Sequence, residues 1–332
     1  MPVHAFVFPG QGSQSVGMGR DLAAAFAPAR VVCQEVDEVL KQKLSKLMFE
    51  GPGEELTLTE NTQPALMAMS LAVLRVLEQE GGFTLRQKAV VVAGHSLGEY
   101  SALAAAGAFT VAGAARLLKL RGQAMQLAVP AGKGAMAALI GCEMALAREI
   151  CTQAAPVPAA EAQEAELQGR SVATTEVIEP ANDNGGGQVV ISGARGAVER
   201  AVEIARTKGV RRAMLLPVSA PFHCALMAPA ADTMAEALES TPPGPPVVPL
   251  IANVSAAKVT DPVQIRDLLV RQVTSTVRWR ECVHAMIALG VDSFVELGAG
   301  KVLSGLIRRI APDAATAAAG TPAEIEAMLK LL

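Results

Sequence analysis

Aromatic residues are scarce in this chain. Among 332 residues there are eight Phe, one Trp and one Tyr, 3% in all. A core so poor in rings must be filled by Ala, Leu and Val, which suits close packing of helices on a sheet. Cysteine is sparse too, with five residues at 33, 142, 151, 224 and 282. The number is odd and no CxxC pair occurs, which argues against a disulfide framework or a zinc site and fits a reducing compartment. No block of positive charge is present, and 29 basic against 32 acidic residues leave a net charge of −3. That balance gives no reason to expect nucleic acid as a partner. No apolar run reaches the roughly 18 uncharged residues of a membrane span. The opening MPVHAFVFPGQG has neither the basic start nor the long apolar middle of a signal peptide. The expectation is a soluble, cytoplasmic protein with no membrane partner and no metal.

What is present is a periodic, 51% hydrophobic chain, long enough for one large domain or two smaller ones. Residues 4–10 and 88–94 read as buried strands, each running into glycine. Residues 63–82, 97–109 and 111–127 read as helices. Strands alternating with helices predict a parallel α/β sheet. The middle changes character. Strands are predicted at 134–141, around 172–178, at 188–193 and at 211–219, with helices at 143–154 and 194–209. This βαββαβ order is the split-βαβ pattern of a ferredoxin-like unit. It predicts a small α+β domain, 132–216, inserted into a large, discontinuous α/β domain of 1–131 and 217–332. The first part of 155–180, rich in Ala, Glu, Gln and Pro, is expected to be an exposed loop. Beyond it, strands are predicted at 249–256 and 292–300 and helices at 261–273 and 280–290. The tail is expected to be a frayed segment followed by a surface helix.

The junction Gly94-His95-Ser96-Leu97-Gly98, between a strand and a helix, fits the nucleophile elbow Gly-x-Ser-x-Gly. So tight a turn leaves no room for side chains two residues before and after the serine. It lifts the hydroxyl clear at a helix N-terminus, where backbone N–H groups stabilise negative charge. The plainer alternative is a glycine-rich turn with Ser96 as a helix N-cap.

A serine nucleophile needs a base, and the chain has four histidines. His4 opens a strand and reads as a surface or packing residue. His95 adjoins the serine but diverges from it, so it is expected to line the site or support the loop. His284 has helix spacing and is expected half-buried. His223, in PVSAPFHCALM, lies between a strand and a helix, where α/β enzymes present catalytic groups. Elimination favours His223. No acid occupies an obvious strand end before it, which counts against an ordinary esterase or lipase.

Six segments in order, FPGQGSQSVGMG (8–19), GHSLGEYSALAAAGA (94–108), LRGQAMQ (120–126), PANDNGGGQVVISG (180–193), APFHCALM (220–227) and GAGKVLSGLIRR (298–309), resemble the malonyl-CoA:acyl carrier protein transacylases of bacterial fatty-acid synthesis. The resemblance covers nearly the whole chain. It implies a large α/β-hydrolase-like domain with a ferredoxin-like insert, which agrees with the element order. It implies Ser96 as nucleophile, His223 as general base, and Gln11 with the Leu97 N–H as oxyanion hole. Arg121 would grip the malonyl carboxylate, and the Gln272 backbone carbonyl would orient the histidine in place of an acid. In this family Phe at position 222 goes with malonyl and smaller residues with methylmalonyl. The activity implied is S-malonyl transfer by a ping-pong route from malonyl-CoA to the phosphopantetheine thiol of acyl carrier protein, with no cofactor and a monomeric enzyme. The segment 155–178 is longer than the family leads one to expect.

Each residue also has a plainer reading. Arg121 fits a helix-surface charge, Gln11 a turn residue and Phe222 a core aromatic. Asn182 and Asn184 fit either hydrogen bonding to substrate or loop, or ordinary turn chemistry. Cys224 reads as a small buried hydrophobe. Rival functions are a serine hydrolase or thioesterase with the same intermediate, a polyketide-type acyltransferase using another acyl unit, and a non-catalytic scaffold.

Overall fold

The structure, a computed structural model, describes residues 2–157, 174–218 and 220–332. The described strands are β1 (His4–Phe8), β2 (Ala89–Gly94), β3 (Gly134–Ile140), β4 (Ile178–Asp183), β5 (Gln188–Ala194), β6 (Arg212–Leu215), β7 (Leu250–Ile251), β8 (Lys258–Val259), β9 (Ser293–Leu297) and β10 (Ala315–Ala319).

Six of them form one sheet in the order β10-β9-β1-β2-β7-β8. Its pairings are parallel, except that β8 turns back against β7. β1 is buried at all five positions, as a strand covered on both faces must be. Helices Thr59–Gly81, Leu97–Ala105 and Val111–Leu127 lie in the apolar cluster that contains Phe6, Phe8 and Val92. Helices Trp279–Ala288 and Val302–Ile310 supply Trp279, Val283 and Leu306 to a second cluster with Ala5, Val7 and Val91. The alternation of partners along β1 and β2 places the two clusters on opposite faces. The sheet is thus sandwiched between helical layers, as the α/β reading predicts.

The other four strands form an antiparallel sheet ordered β4-β5-β3-β6. Helices Met144–Ala154 and Arg195–Thr207 pack on it through Ala147, Ile150, Val198 and Ala201, a cluster separate from the others. Numbering these strands one to four by sequence gives the order 4-1-3-2, the split-βαβ arrangement.

Several predicted elements are corrected. The strand expected around 172–178 runs instead through Ile178–Asp183, across residues that look like turn formers. Pairing with β5 on one side, and Asp183 N–H donating to Val277 O at 2.9 Å on the other, overrides their local preference. Pro180, which has no N–H to give, stands at an irregularity in that register. Residues 172–173 of that expectation, most of the loop expected from 155, and Ser219 lie outside the described residues. The strand expected at 211–219 shortens to Arg212–Leu215, and that at 249–256 to Leu250–Ile251, because Asn253 leaves the ladder to serve the serine turn. His284 is exposed rather than half-buried.

The tail is corrected as well. Ala315–Ala319 is not frayed but pairs residue for residue with β9, and helix Pro322–Leu331 buries Ile325 and Met328 in the main core. Truncating such a side chain leaves a cavity. Ile325→Ala is expected to lower unfolding free energy by about 2–5 kcal/mol in urea titration. A loose surface helix would lose no more than about 0.5 kcal/mol.

Candidate active site

The site begins where β2 ends. Ser96 has φ 54° and ψ −112°, outside the regions open to ordinary residues. Glycine is required on both sides. A Cβ at Gly94 would stand 1.9 Å from the Gly98 carbonyl, and one at Gly98 would stand 2.2 Å from Phe8 O. Asn253, just past β7, secures the turn. Its Oδ1 accepts the Ser96 N–H at 2.8 Å, and its Nδ2 donates to Gly94 O at 2.7 Å. Ser96 is half-buried at the head of helix Leu97–Ala105. Leu97 is the first residue of that helix, so its N–H lies among those without an intrahelical acceptor.

Ser96 Oγ lies 2.7 Å from His223 Nε2, and His223 Nδ1 lies 2.8 Å from Gln272 O. A carbonyl only accepts, so Nδ1 carries the proton and Nε2 is left free to take one from the serine. Burial foremost, then the Arg121 charge, lowers the His223 pKa from its ordinary 6.5 to about 3. The imidazole is therefore neutral at neutral pH, the form a base requires.

Arg121 is 1% exposed, which removes the surface-charge reading. Its NH2 donates to Gln272 Oε1 at 2.9 Å and reaches Ser96 Oγ at 3.3 Å; its NH1 donates to Gln63 Oε1 at 2.7 Å. These groups face a cavity of about 160 Å3 whose walls include Gln11, Ser96, Leu97, Arg121, Asn182 and Phe222. Met125, Met136, Val190 and Leu216 give it an apolar side. Met136 and Val190 come from the antiparallel sheet and Ser96 from the parallel one, so the cavity lies between the two layers.

The structure thus brings Gln11, Ser96, Leu97, Arg121, Phe222 and His223, with Asn182 and Asn184, to one cavity, and sets Gln272 behind His223 and Arg121. Gln11 is exposed at the cavity, where its Oε1 accepts from Thr59 Oγ1 at 2.9 Å. His95 makes no bond to Ser96 Oγ among the described contacts; its Nε2 is 2.9 Å from Asn184 Oδ1 and its ring is tilted against Trp279. Asn182 Nδ2 is 3.4 Å from the same His95 nitrogen. His4 is buried away from the cavity, and Cys224 is fully buried.

Sequence reasoning missed three residues: Gln63, Asn253 and Glu99. Glu99 is 1% exposed, and burial raises its pKa to about 7, against the lowering effect of the Asn253 N–H, the Gln272 amide and Arg121. Its signal was legible: it is the single charged residue in Leu97–Ala105, a helix otherwise of small or apolar residues. Asn253 follows a strand end, a position open to the same reasoning as His223. Gln63 carries no such mark.

The acyl transferase domain model matches residues 5–321. The chain is 44% identical to the malonyl CoA-acyl carrier protein transacylase of Escherichia coli K12 over 331 residues, 100% of each chain. The acyl-carrier-protein S-malonyltransferase of Bartonella henselae superposes with a TM-score of 0.91 at 53% identity, over 99% of each chain. A malonyl-transacylase solved in complex with a type II polyketide acyl-carrier protein matches with a TM-score of 0.90 at 41% identity, covering 99% of this chain and all of that one. The likeness drawn from six motifs is borne out, and the chain belongs to the acyl transferase domain family.

Proposed function

We propose that this chain transfers the malonyl group of malonyl-CoA to the phosphopantetheine thiol of an acyl carrier protein in the cytoplasm, working as a monomer. The boundaries 1–131, 132–216 and 217–332 are proposed for its large domain and its insert. The observation that carries the reading is a buried guanidinium 3.3 Å from a serine hydroxyl that is itself 2.7 Å from a neutral histidine. An esterase has no use for a buried cation beside its nucleophile; an enzyme for an acyl group with a free carboxylate does.

In the proposed reaction Ser96 Oγ attacks the thioester carbonyl while His223 Nε2 takes its proton. The oxyanion forms against the Leu97 N–H and Gln11. The intermediate collapses, coenzyme A leaves as the thiol with the proton from His223, and a malonyl-Ser96 ester remains. The carrier thiol then attacks that ester, gives its proton to His223, and leaves as the malonyl thioester while Ser96 recovers its hydrogen. Throughout, Arg121 holds the acyl carboxylate by charge-assisted hydrogen bonds. Phe222 walls off space beside the acyl C2, and Asn182 contacts the substrate from the opposite layer. Every proton in this scheme is moved by a group of the chain, so no cofactor is called for. No described helix is long and apolar enough to cross a membrane, and no cluster of three or more candidate metal ligands occurs among the described residues.

Mass spectrometry of protein quenched after mixing with malonyl-CoA is expected to find a malonyl adduct on Ser96 that persists until a thiol acceptor is added. Rapid loss to free malonate would favour hydrolysis. Arg121→Ala is expected to lower kcat/KM for malonyl-CoA by roughly 100- to 1000-fold, as for a buried charge stripped of its partner. It is also expected to raise the His223 pKa from about 3, because removing a like charge favours the imidazolium. Nitrogen NMR of the imidazole reads that shift. Since the folded pKa lies below the unfolded value, the wild type gains stability from this group above pH 6.5 and loses it as pH falls toward 3. Phe222→Ser is expected to improve the methylmalonyl-to-malonyl ratio of kcat/KM by about 10- to 100-fold in competition assays, the range for one alkyl group in a pocket.

A further inference from the structure

Arg121 is buried, yet the partners its guanidinium touches are neutral. Gln63 and Gln272 offer amide oxygens, Ser96 a hydroxyl, and no described carboxylate stands in ion-pair contact with it. An unbalanced guanidinium in such a place is costly. The balancing group is one side chain further on, the Glu99 carboxyl, an anion above its raised pKa of about 7. Gln272 Oε1 accepts from Arg121 NH2 at 2.9 Å, while Gln272 Nε2 donates to Glu99 Oε2 at 2.8 Å. Gln272 is fully buried, so its amide is a dry bridge between cation and anion.

The bridge has one orientation. A guanidinium only donates and an ionised carboxylate only accepts. Turning the amide over would set NH2 against Arg121 and oxygen against Glu99, losing both bonds. Glu99 Oε2 also accepts the Asn253 N–H at 3.0 Å, and Gln272 Nε2 reaches Ser96 O at 3.0 Å. We propose that Glu99 is a positioning residue for substrate recognition: through the Gln272 amide it fixes the Arg121 guanidinium beside Ser96, ready for the acyl carboxylate. The inference rests on the transacylase reading and adds to it a residue that touches neither substrate nor nucleophile oxygen. It acts on the arginine, not on the base. His223 is held by the Gln272 main-chain carbonyl, which the helix Pro262–Gln272 keeps in place whichever way the side-chain amide lies.

That separation defines the test. Glu99→Gln, Glu99→Asp and Glu99→Ala are assayed as full-length proteins, with thermal melts to establish folding. Malonyl-CoA kinetics are measured beside labelling of Ser96 by an uncharged fluorophosphonate, which needs the serine and its base but no arginine. Glu99→Gln and Glu99→Ala are expected to raise KM for malonyl-CoA by about 10- to 100-fold, the worth of a hydrogen bond to a charged group, with labelling changed less than about threefold. Glu99→Asp, which keeps the charge, is expected to recover part of the loss. Equal loss in both assays, or no loss of malonyl affinity in folded Glu99→Gln, overturns the assignment. If Glu99→Ala fails to fold, the isosteric Glu99→Gln and Glu99→Asp decide it. A wild type that forms no malonyl adduct defeats the transacylase reading itself, a result separable from any variant's behaviour.

Discussion

Two backbones meet where β2 gives way to its helix, and the contact leaves room for hydrogen alone. The Cα of Gly98 rides on Phe8 O of the neighbouring strand, and the Cα of Gly94 sits against the Gly98 carbonyl. At this close approach the residue between, Ser96, has φ 54° and ψ −112°, a backbone conformation that costs of order 1–3 kcal/mol. The cost is borne by the surroundings. β2 lies inside the sheet, between β1 and β7. The helix behind the serine is buried nearly throughout, and Asn253 clasps both Ser96 N–H and Gly94 O. A hydroxyl set this way cannot retreat into the turn and stays aimed at the cavity.

Among the described residues no carboxylate bonds His223 Nδ1, and the Gln272 carbonyl stands in that place. A carbonyl fixes the tautomer as well as an acid would, but it stabilises the imidazolium less. Burial and the Arg121 charge oppose that imidazolium further. Under the proposed reaction the acyl carboxylate removes the second obstacle, since an anion on Arg121 cancels the field that His223 feels. Malonyl is then favoured twice, in binding and again in the proton transfer. An acetyl group that drifts into the cavity meets a base that is harder to protonate. Such discrimination belongs to the transition state as much as to the bound substrate.

Much of this was legible in the residues. Gly-x-Ser-x-Gly between an apolar strand and a helix signals its geometry through steric exclusion, inside the turn at Gly94 and against Phe8 O of β1 at Gly98. His223 came by elimination among four candidates. The βαββαβ order was legible because periodicity changes at each boundary. The errors have a common cause in long-range pairing. Nothing local marks Pro180–Asp183 as a strand, since its conformation is imposed by β5 and by Val277. Ala315–Ala319 reads as low-complexity tail until β9 offers it an edge. Gln63 belongs to a helix whose burial is nearly complete, and an amide in such a run announces nothing until the arginine it serves is seen opposite. Glu99 is the instructive case. A lone acid amid alanines is written plainly in the sequence, but its meaning depends on Gln272, which lies far away along the chain.

The charges at the site explain why these polar residues are grouped rather than scattered. Among the described residues the site holds the buried Arg121 guanidinium, the neutral His223 imidazole and the buried Glu99 carboxyl, with the Gln272 amide between guanidinium and carboxyl. Under the proposed reaction the acyl carboxylate gives the guanidinium a charged partner, which Gln63, Gln272 and Ser96 do not provide. Under the proposed reading, Glu99 helps to hold a buried arginine in place before the substrate arrives, through the Gln272 amide that joins the two.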